Sequence, residues 1–257
     1  MKIDTFKSRL RVATTAAALC ALTACSAISG QSSGSAGAEN ATTPSAGSNT
    51  NVNKSLVVYF SRAGENYWDG DRKNLKKGNT AVLAEEIAKQ TGADVYEIVA
   101  ADPYSDDYGA TVARNVREED EDSRPAIVHA LPDLSRYQVV YLGSPVWNST
   151  MPMIMKTFVE QAKWQGQQVR PFVTYAVSGM AGIDEEYQRL LPDLSVTQGL
   201  AVRGEDVAID PDAAEPEVTP TTSQKVKQWV DSLQPQTKTT GSLQTINYSI
   251  TYENRDI

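Results

Sequence analysis

Histidine and cysteine, the side chains that most often carry acid–base, nucleophilic and metal chemistry, are nearly absent from this chain. It has two cysteines and one histidine in 257 residues. Both cysteines, Cys20 and Cys25, stand near the start, so residues 26–257 offer no disulfide, thiolate metal site or thiol nucleophile. His129 lies in "RPAIVHALPDLSRY", which reads as a connecting segment, and no serine sits in a Gly-x-Ser-x-Gly elbow that could use it. Carboxylates are plentiful, but most fall in runs such as "REEDED" (117–122), the pattern of a solvated helix face or loop. No isolated acid pair of the kind that hydrolyses a glycosidic bond stands out at a strand end. Cations are in deficit, 24 Lys and Arg against 32 Asp and Glu, which argues against nucleic acid as a partner. Any chemistry therefore points to a bound cofactor, with the protein supplying position and electrostatics.

The only long uncharged apolar stretch is also near the start. Lys2, Lys7, Arg9 and Arg11 precede Val12–Ala24, which closes in "LTAC" at Cys25. A basic start, a short apolar segment and small residues at its end describe an export signal, too short for a membrane-spanning helix. "LTAC" resembles the bacterial lipobox. That resemblance implies cleavage after residue 24, lipid on Cys25, and a protein held outside the cytoplasmic membrane by that lipid. Losing residues 1–24 removes four basic groups and one acidic group, leaving 20 against 31 and a net charge of −11. Residues 26–53, "SAISGQSSGSAGAENATTPSAGSNTNVN", are small and polar with one charge, a composition that cannot offset its ordering entropy. Residues 25–53 thus read as a flexible tether with a root-mean-square reach of about 30 Å.

From Ser55 the pattern alternates. "SLVVYF" (55–60), "ADVYEIVA" (93–100), "YQVVYLG" (137–143), "VRPFVTYAV" (169–177) and "VTQGLAVRG" (196–204) read as strands. Between them "NTAVLAEEIAKQTG", "SDDYGATVARNVREEDED", "PMIMKTFVEQAKW" and "DEEYQRLLPDL" read as helices, and "TPTTSQKVKQWVDSL" (219–233) as a closing one. Gly109 weakens the second of these helices. Strands alternating with helices predict an α/β domain with a parallel sheet covered on both faces, over residues 54–235. Ligands of such sheets sit beyond the carboxyl ends of the strands. The tail, 236–257, alternates from Ile246, which fits either an added edge strand or a chain without fixed structure.

Three turns should converge at that rim. The first holds Ser61, Arg62, Ala63 and Gly64 and, further on, Gly78, Asn79 and Thr80; the second is "GSPVWNSTMPM" (143–153); the third is "AVSGMAG" (176–182). Main-chain amides at a helix start, with hydroxyls and glycines, suit a phosphate group. Trp147 offers a flat face for a conjugated ring.

"YFSRAGEN…KGNT", "RPAI" (124–127) and "LGSPVW…TMPM", in this order, resemble the flavodoxin-like family, in the branch with "YxSRxGxT"-type starts and "G-x-P-[IV]-W…MP" middle loops. The resemblance covers residues 54–233. It implies a three-layer sandwich around a five-stranded parallel sheet of order 2-1-3-4-5, binding flavin mononucleotide (FMN) without a covalent link. By position, Ser61, Gly78, Asn79 and Thr80 would hold the phosphate, with main-chain help from Arg62 and Ala63. Ser144, Pro145, Val146, Trp147 and Asn148 would flank the isoalloxazine, and Ser178, Gly179 and Met180 would border its other edge. The family's phosphate loop runs hydroxyl-x-hydroxyl-Gly-x-Thr; here Ala63 takes the middle hydroxyl's place and Glu65–Lys77 are inserted. The insert is expected to fold outward as a flap, with Tyr67 and Trp68 over the flavin rim or a partner site. Its Arg72, Lys73, Lys76 and Lys77 would bring positive charge near the phosphate.

The implied activity is electron transfer, as a carrier or as an FMN-dependent oxidoreductase, with donor and acceptor unspecified. The alternative keeps the fold without the flavin, as a surface lipoprotein that binds another small molecule or a protein.

Overall fold

The computed structural model describes residues 54–233. The expected export signal (1–24), Cys25, the tether to residue 53 and the tail from 236 lie outside the described residues.

Alternation of side chains at 55–60 builds two cores at once. In β1 (Ser55–Tyr59) and just beyond it, Leu56, Val58 and Phe60 belong to one buried cluster, and Val57 and Tyr59 to another. A strand presents successive side chains to opposite faces, so a nearly unbroken apolar run is what a sheet covered on both sides requires. A hairpin follows, β2 (Gly64–Trp68) and β3 (Asp71–Leu75), then α1 (Asn79–Thr91), β4 (Asp94–Glu97) and α2 (Tyr108–Asp120). The second half runs β5 (Val139–Pro145), α3 (Met153–Gln161), β6 (Gln168–Tyr175), α4 (Ile183–Leu190), β7 (Leu200–Arg203), α5 (Gly204–Val207) and α6 (Pro220–Ser232).

The main sheet has the order β4-β1-β5-β6-β7, and every pairing in it is parallel. Counting only its own strands along the chain, this is the expected 2-1-3-4-5. One face packs on α1, α5 and α6 through Leu83, Ile87, Val207, Val226 and Val230. The opposite face packs on α3 and α4 through Ile154, Phe158, Ile183 and Tyr187. The result is the anticipated three layers.

Local signals account for several helix ends. Gly92, in the left-handed conformation at φ 67°, ends α1. Thr219 caps α6, accepting from the Thr222 N–H at 3.2 Å, with Pro220 in the first turn. Gly109 does not prevent α2, because Asp107 accepts from the Ala110 N–H and caps the helix just before it. Two expectations shift. The strand foreseen over 196–204 is confined to 200–203, with Val196 making only a single bridge to Val169. Residues 204–207 form a helical turn instead of continuing it.

The polar insert is an antiparallel hairpin with a two-residue turn at Asp69-Gly70, both at positive φ (47° and 91°). Asp-Gly is the pair such a turn favours, since its backbone twist matches that of the strands. Leu75 is the hairpin's one deeply buried apolar residue, at 1% exposure.

Gly143, in β5, lies beneath the buried ring of Phe172. An added Cβ would stand 2.0 Å from Phe172 Cζ. Gly143→Ala should destabilise the domain by about 1–3 kcal/mol through overpacking, seen as a lower urea midpoint with unchanged m-value.

Candidate functional site

The two halves of the first loop are distant in sequence but touch in space. Gly78 lies against the Ser61–Arg62 main chain so closely that a Cβ would stand 2.3 Å from Ser61 Oγ and 2.5 Å from the Arg62 carbonyl oxygen. Ser61 Oγ accepts from the Ala81 N–H at 3.1 Å, capping α1 from the end of β1. With Gly78 at its N-cap, α1 has no side-chain cap of its own. The main-chain N–H groups of Asn79 and Thr80 have no acceptor among the described residues. They carry the positive end of the α1 dipole.

A cavity of about 100 Å³ opens over this helix start, at the carboxyl ends of β1, β5 and β6. Ser61, Arg62, Asn79 and Thr80 line one side and Pro145, Val146 and Trp147 another. Thr80 is nearly buried, and its hydroxyl is 2.7 Å from that of Thr174 on β6, tying α1 to the sheet floor. The Trp147 ring stands edge-on to Phe60 at 5.4 Å and to Tyr104 at 5.1 Å. It is therefore half-buried by packing and still borders the cavity. Residues 147–150 form a tight turn with Asn148 and Ser149 at positive φ, closed in both directions by Trp147 and Thr150 main-chain bonds of 3.0 and 2.9 Å. Asn148 donates to the Glu119 carboxylate on α2, which holds the turn from outside. Asn148 borders an adjoining cavity of about 210 Å³ between α2 and this turn, with Arg62, Asn66, Tyr108, Val146 and Trp147 shared by both.

Not every expected residue reaches the cavity. The half-buried Ala63 is not in its wall, and Gly78 supports the wall from behind. Ser144 points into the core, its hydroxyl beside that of the fully buried Tyr187. Ser178, Gly179 and Met180 lie outside it, the third loop contributing Tyr175 and Ala176 instead. Met180 is drawn away because it fills the space over Gly199, where a Cβ would stand 1.8 Å from Met180 Cε.

Tyr67, expected over the rim, is in the wall while Trp68 is not, and several other wall residues were not foreseen: Asn66 from the hairpin, Tyr108 from α2, Thr174, and Gly204 with Glu205 after β7. The hairpin bridges two sides of the site. Its base is held to the segment before α2, where the Glu65 N–H donates to Asp106 O at 2.8 Å and the Tyr108 N–H donates to Glu65 Oε2 at 3.2 Å. Its tip is held to the end of β7, where the Asp69 N–H donates to Glu205 Oε1 at 2.9 Å and Arg203 meets Asp69 at 3.4 Å. Gly204 lets the chain pass Asn79, whose Nδ2 would be 2.6 Å from a Cβ there. The Asp69-Gly70 pair is a local hairpin signal that the expectation of an outward flap did not use; nothing local marks Glu205 as its partner.

The insert's cations do not line the cavity. Lys77 pairs with Glu85 and Glu215, Lys73 with Asp212 at 3.1 Å, Arg72 stacks on Tyr108 at 3.7 Å, and Lys76 is exposed. The cation in the wall is Arg62. Burial draws its guanidinium below the usual arginine range, opposed by the nearby Asp106, Tyr108, Glu65 and Asp107. Arginine stays charged through any such shift.

A parallel 2-1-3-4-5 sheet with a glycine-bordered helix start at its carboxyl rim defines a doubly wound nucleotide-binding class. A family model described as Flavodoxin matches residues 74–210, more than half of the chain, and the chain belongs to the flavodoxin family. A structure of a candidate flavoprotein from Bacteroides eggerthii is 26% identical with a TM-score of 0.52, covering 70% of this chain and 96% of that one. One from Bacteroides uniformis is 27% identical with a TM-score of 0.51, covering 69% and 97%. A flavoprotein from Lactobacillus acidophilus, solved in complex with FMN, is 23% identical with a TM-score of 0.46, covering 60% and 94%. No curated protein matches the chain significantly.

The Gly78 contact is testable by itself. Gly78→Ala should push the 61–62 and 78–80 segments apart and lower stability by roughly 1–3 kcal/mol. Thermal unfolding, read alongside the assigned NMR indole N–H signal of the cavity's Trp147, checks both effects.

Proposed function

We propose that this protein binds FMN and works in electron transfer outside the cytoplasmic membrane, anchored by lipid on Cys25. The observation that carries the reading is the meeting, at one cavity, of two unsatisfied helix-start amides, a cationic side chain and an aromatic face. Anions bind at such helix starts because the N–H groups and the dipole favour negative charge. The N–H groups of Asn79 and Thr80 would take the phosphate, with Ser61 holding the helix start in place. Trp147 and Val146 would border the ring. When bound, flavin supplies one- or two-electron transfer.

The residues fit that role. Gly78 lets the two loop halves close, and the buried polar floor formed by Thr80 and Thr174 suits the polar end of the molecule. The cavity, about 100 Å³, is well below the roughly 300–1,000 Å³ of pockets that enclose most of a ligand. The adjoining cavity of about 210 Å³, which shares Val146 and Trp147 with it, would extend the space on the ring side. An exposed flavin edge would mark a carrier, which must pass electrons to a docked protein, and a closed substrate pocket would mark a reductase. No side chain has to donate or accept a proton in this role, which agrees with the scarcity of histidine and cysteine.

A visible spectrum of the purified mature protein, before and after adding FMN, tests the reading. Yellow flavin absorbance with saturable binding is expected. Its absence after addition favours the flavin-free alternative. Trp147→Phe, which keeps an aromatic ring against Phe60 and Tyr104, should weaken FMN binding by about 1 kcal/mol, roughly fivefold. The anchor is tested separately: Cys25→Ser should move the protein from the membrane fraction to the soluble fraction without changing its flavin affinity.

A further inference from the structure

Arg62 is a half-buried cation whose hydrogen-bond partners are main-chain carbonyls. Its Nη1 donates to the carbonyl oxygens of Ser105 (2.9 Å) and Asp106 (3.2 Å), and its Nη2 to that of Glu65. Its Nε is buried and makes no hydrogen bond. Among the described residues it forms no ion pair, unlike Lys73, Lys77, Arg114, Arg124 and Arg203. Of the nearby carboxylates, Asp107 caps α2 and Glu65 accepts from the Tyr108 N–H, while Asp106 acts on Arg62 through space without an ion-pair contact. A cation withdrawn from water is costly unless an anion faces it. This one borders the cavity over the α1 start.

Ala63, where the family pattern has a hydroxyl, contributes no hydrogen-bonding side chain. The three carbonyls that hold Arg62 also fix its guanidinium before any ligand arrives, so little ordering cost remains on binding. We propose that Arg62 is the charge partner of the ligand's phosphate and sets the preference for phosphorylated flavin over riboflavin. This rests on the flavin reading of the cavity. The attraction is coulombic, acts in a partly desolvated site, and adds to what the neutral amides and hydroxyls supply. A residue facing the ring would affect both flavins alike, whereas a phosphate partner acts on FMN alone.

The experiment measures dissociation constants for FMN and for riboflavin on the full mature protein, wild type, Arg62→Gln and Arg62→Lys. Arg62→Gln should raise the FMN constant about tenfold to a hundredfold, as loss of a close charge partner does elsewhere. The riboflavin constant should stay within about threefold, the margin expected when a contact outside the ring is lost. That riboflavin value also reports whether the variant's site is still folded. Arg62→Lys should keep most of the preference, since it keeps the charge, and it answers the question if Arg62→Gln does not fold. Equal losses for both flavins, or an unchanged FMN-to-riboflavin ratio in both variants, overturn the proposal and leave FMN binding standing. A wild type that binds neither flavin overturns the flavin reading itself, and this proposal with it.

Discussion

The apposition of Gly78 with Ser61 and Arg62 is the contact on which the rest of the site depends. It brings the end of β1 to the start of α1 across a twelve-residue hairpin, and only a residue without a side chain fits the space. Ser61 then caps α1 in place of a residue of the helix's own approach, which leaves the first amides of α1 facing the cavity. Most helices are capped from the residue just before them. Here the cap comes from the neighbouring strand, so the helix start and the sheet rim are positioned by one hydrogen bond.

The hairpin follows from that arrangement. A sequence inserted between two touching segments must leave and return at nearly one point, and a two-stranded ribbon does so with its backbone bonds satisfied internally. A ribbon this short is marginal by itself. It is held at the base by the segment before α2 and at the tip by Glu205 and Arg203, so it spans the site instead of projecting freely from it. Arg72, Lys73 and Lys77 are engaged by carboxylates and aromatic rings along the way and Lys76 is exposed, which leaves Arg62 as the cation at the cavity wall.

Much of the fold was legible in the chain because the relevant signals are local. The apolar runs of β1, β5 and β6, the Gly92 stop, and the Thr219 and Pro220 start each reflect a short-range preference. The site was legible only in part. Ser61, Asn79, Thr80 and Trp147 lie at strand ends and helix starts, where position along the chain already implies position at the rim. Ser178, Gly179 and Met180 also follow a strand end, but the space over Gly199 takes Met180 away from the cavity, and no local pattern encodes that. Tyr108 and Glu205 reach the wall through contacts with the hairpin, from residues more than thirty and more than a hundred positions away.

The amino-acid order by itself determined the alternation of strands and helices, the burial of both sheet faces, the lack of histidine and cysteine chemistry, and the rim at which a ligand belongs. These follow from periodicity and composition, which act over a few residues. Tertiary structure alone decided that the split loop closes, that the insert is a tethered ribbon, and that Arg62 borders the cavity without an ion pair while Lys73 and Lys77 of the insert are paired. Those outcomes depend on which distant groups compete for the same hydrogen bonds and charges, a competition resolved only when the chain has packed.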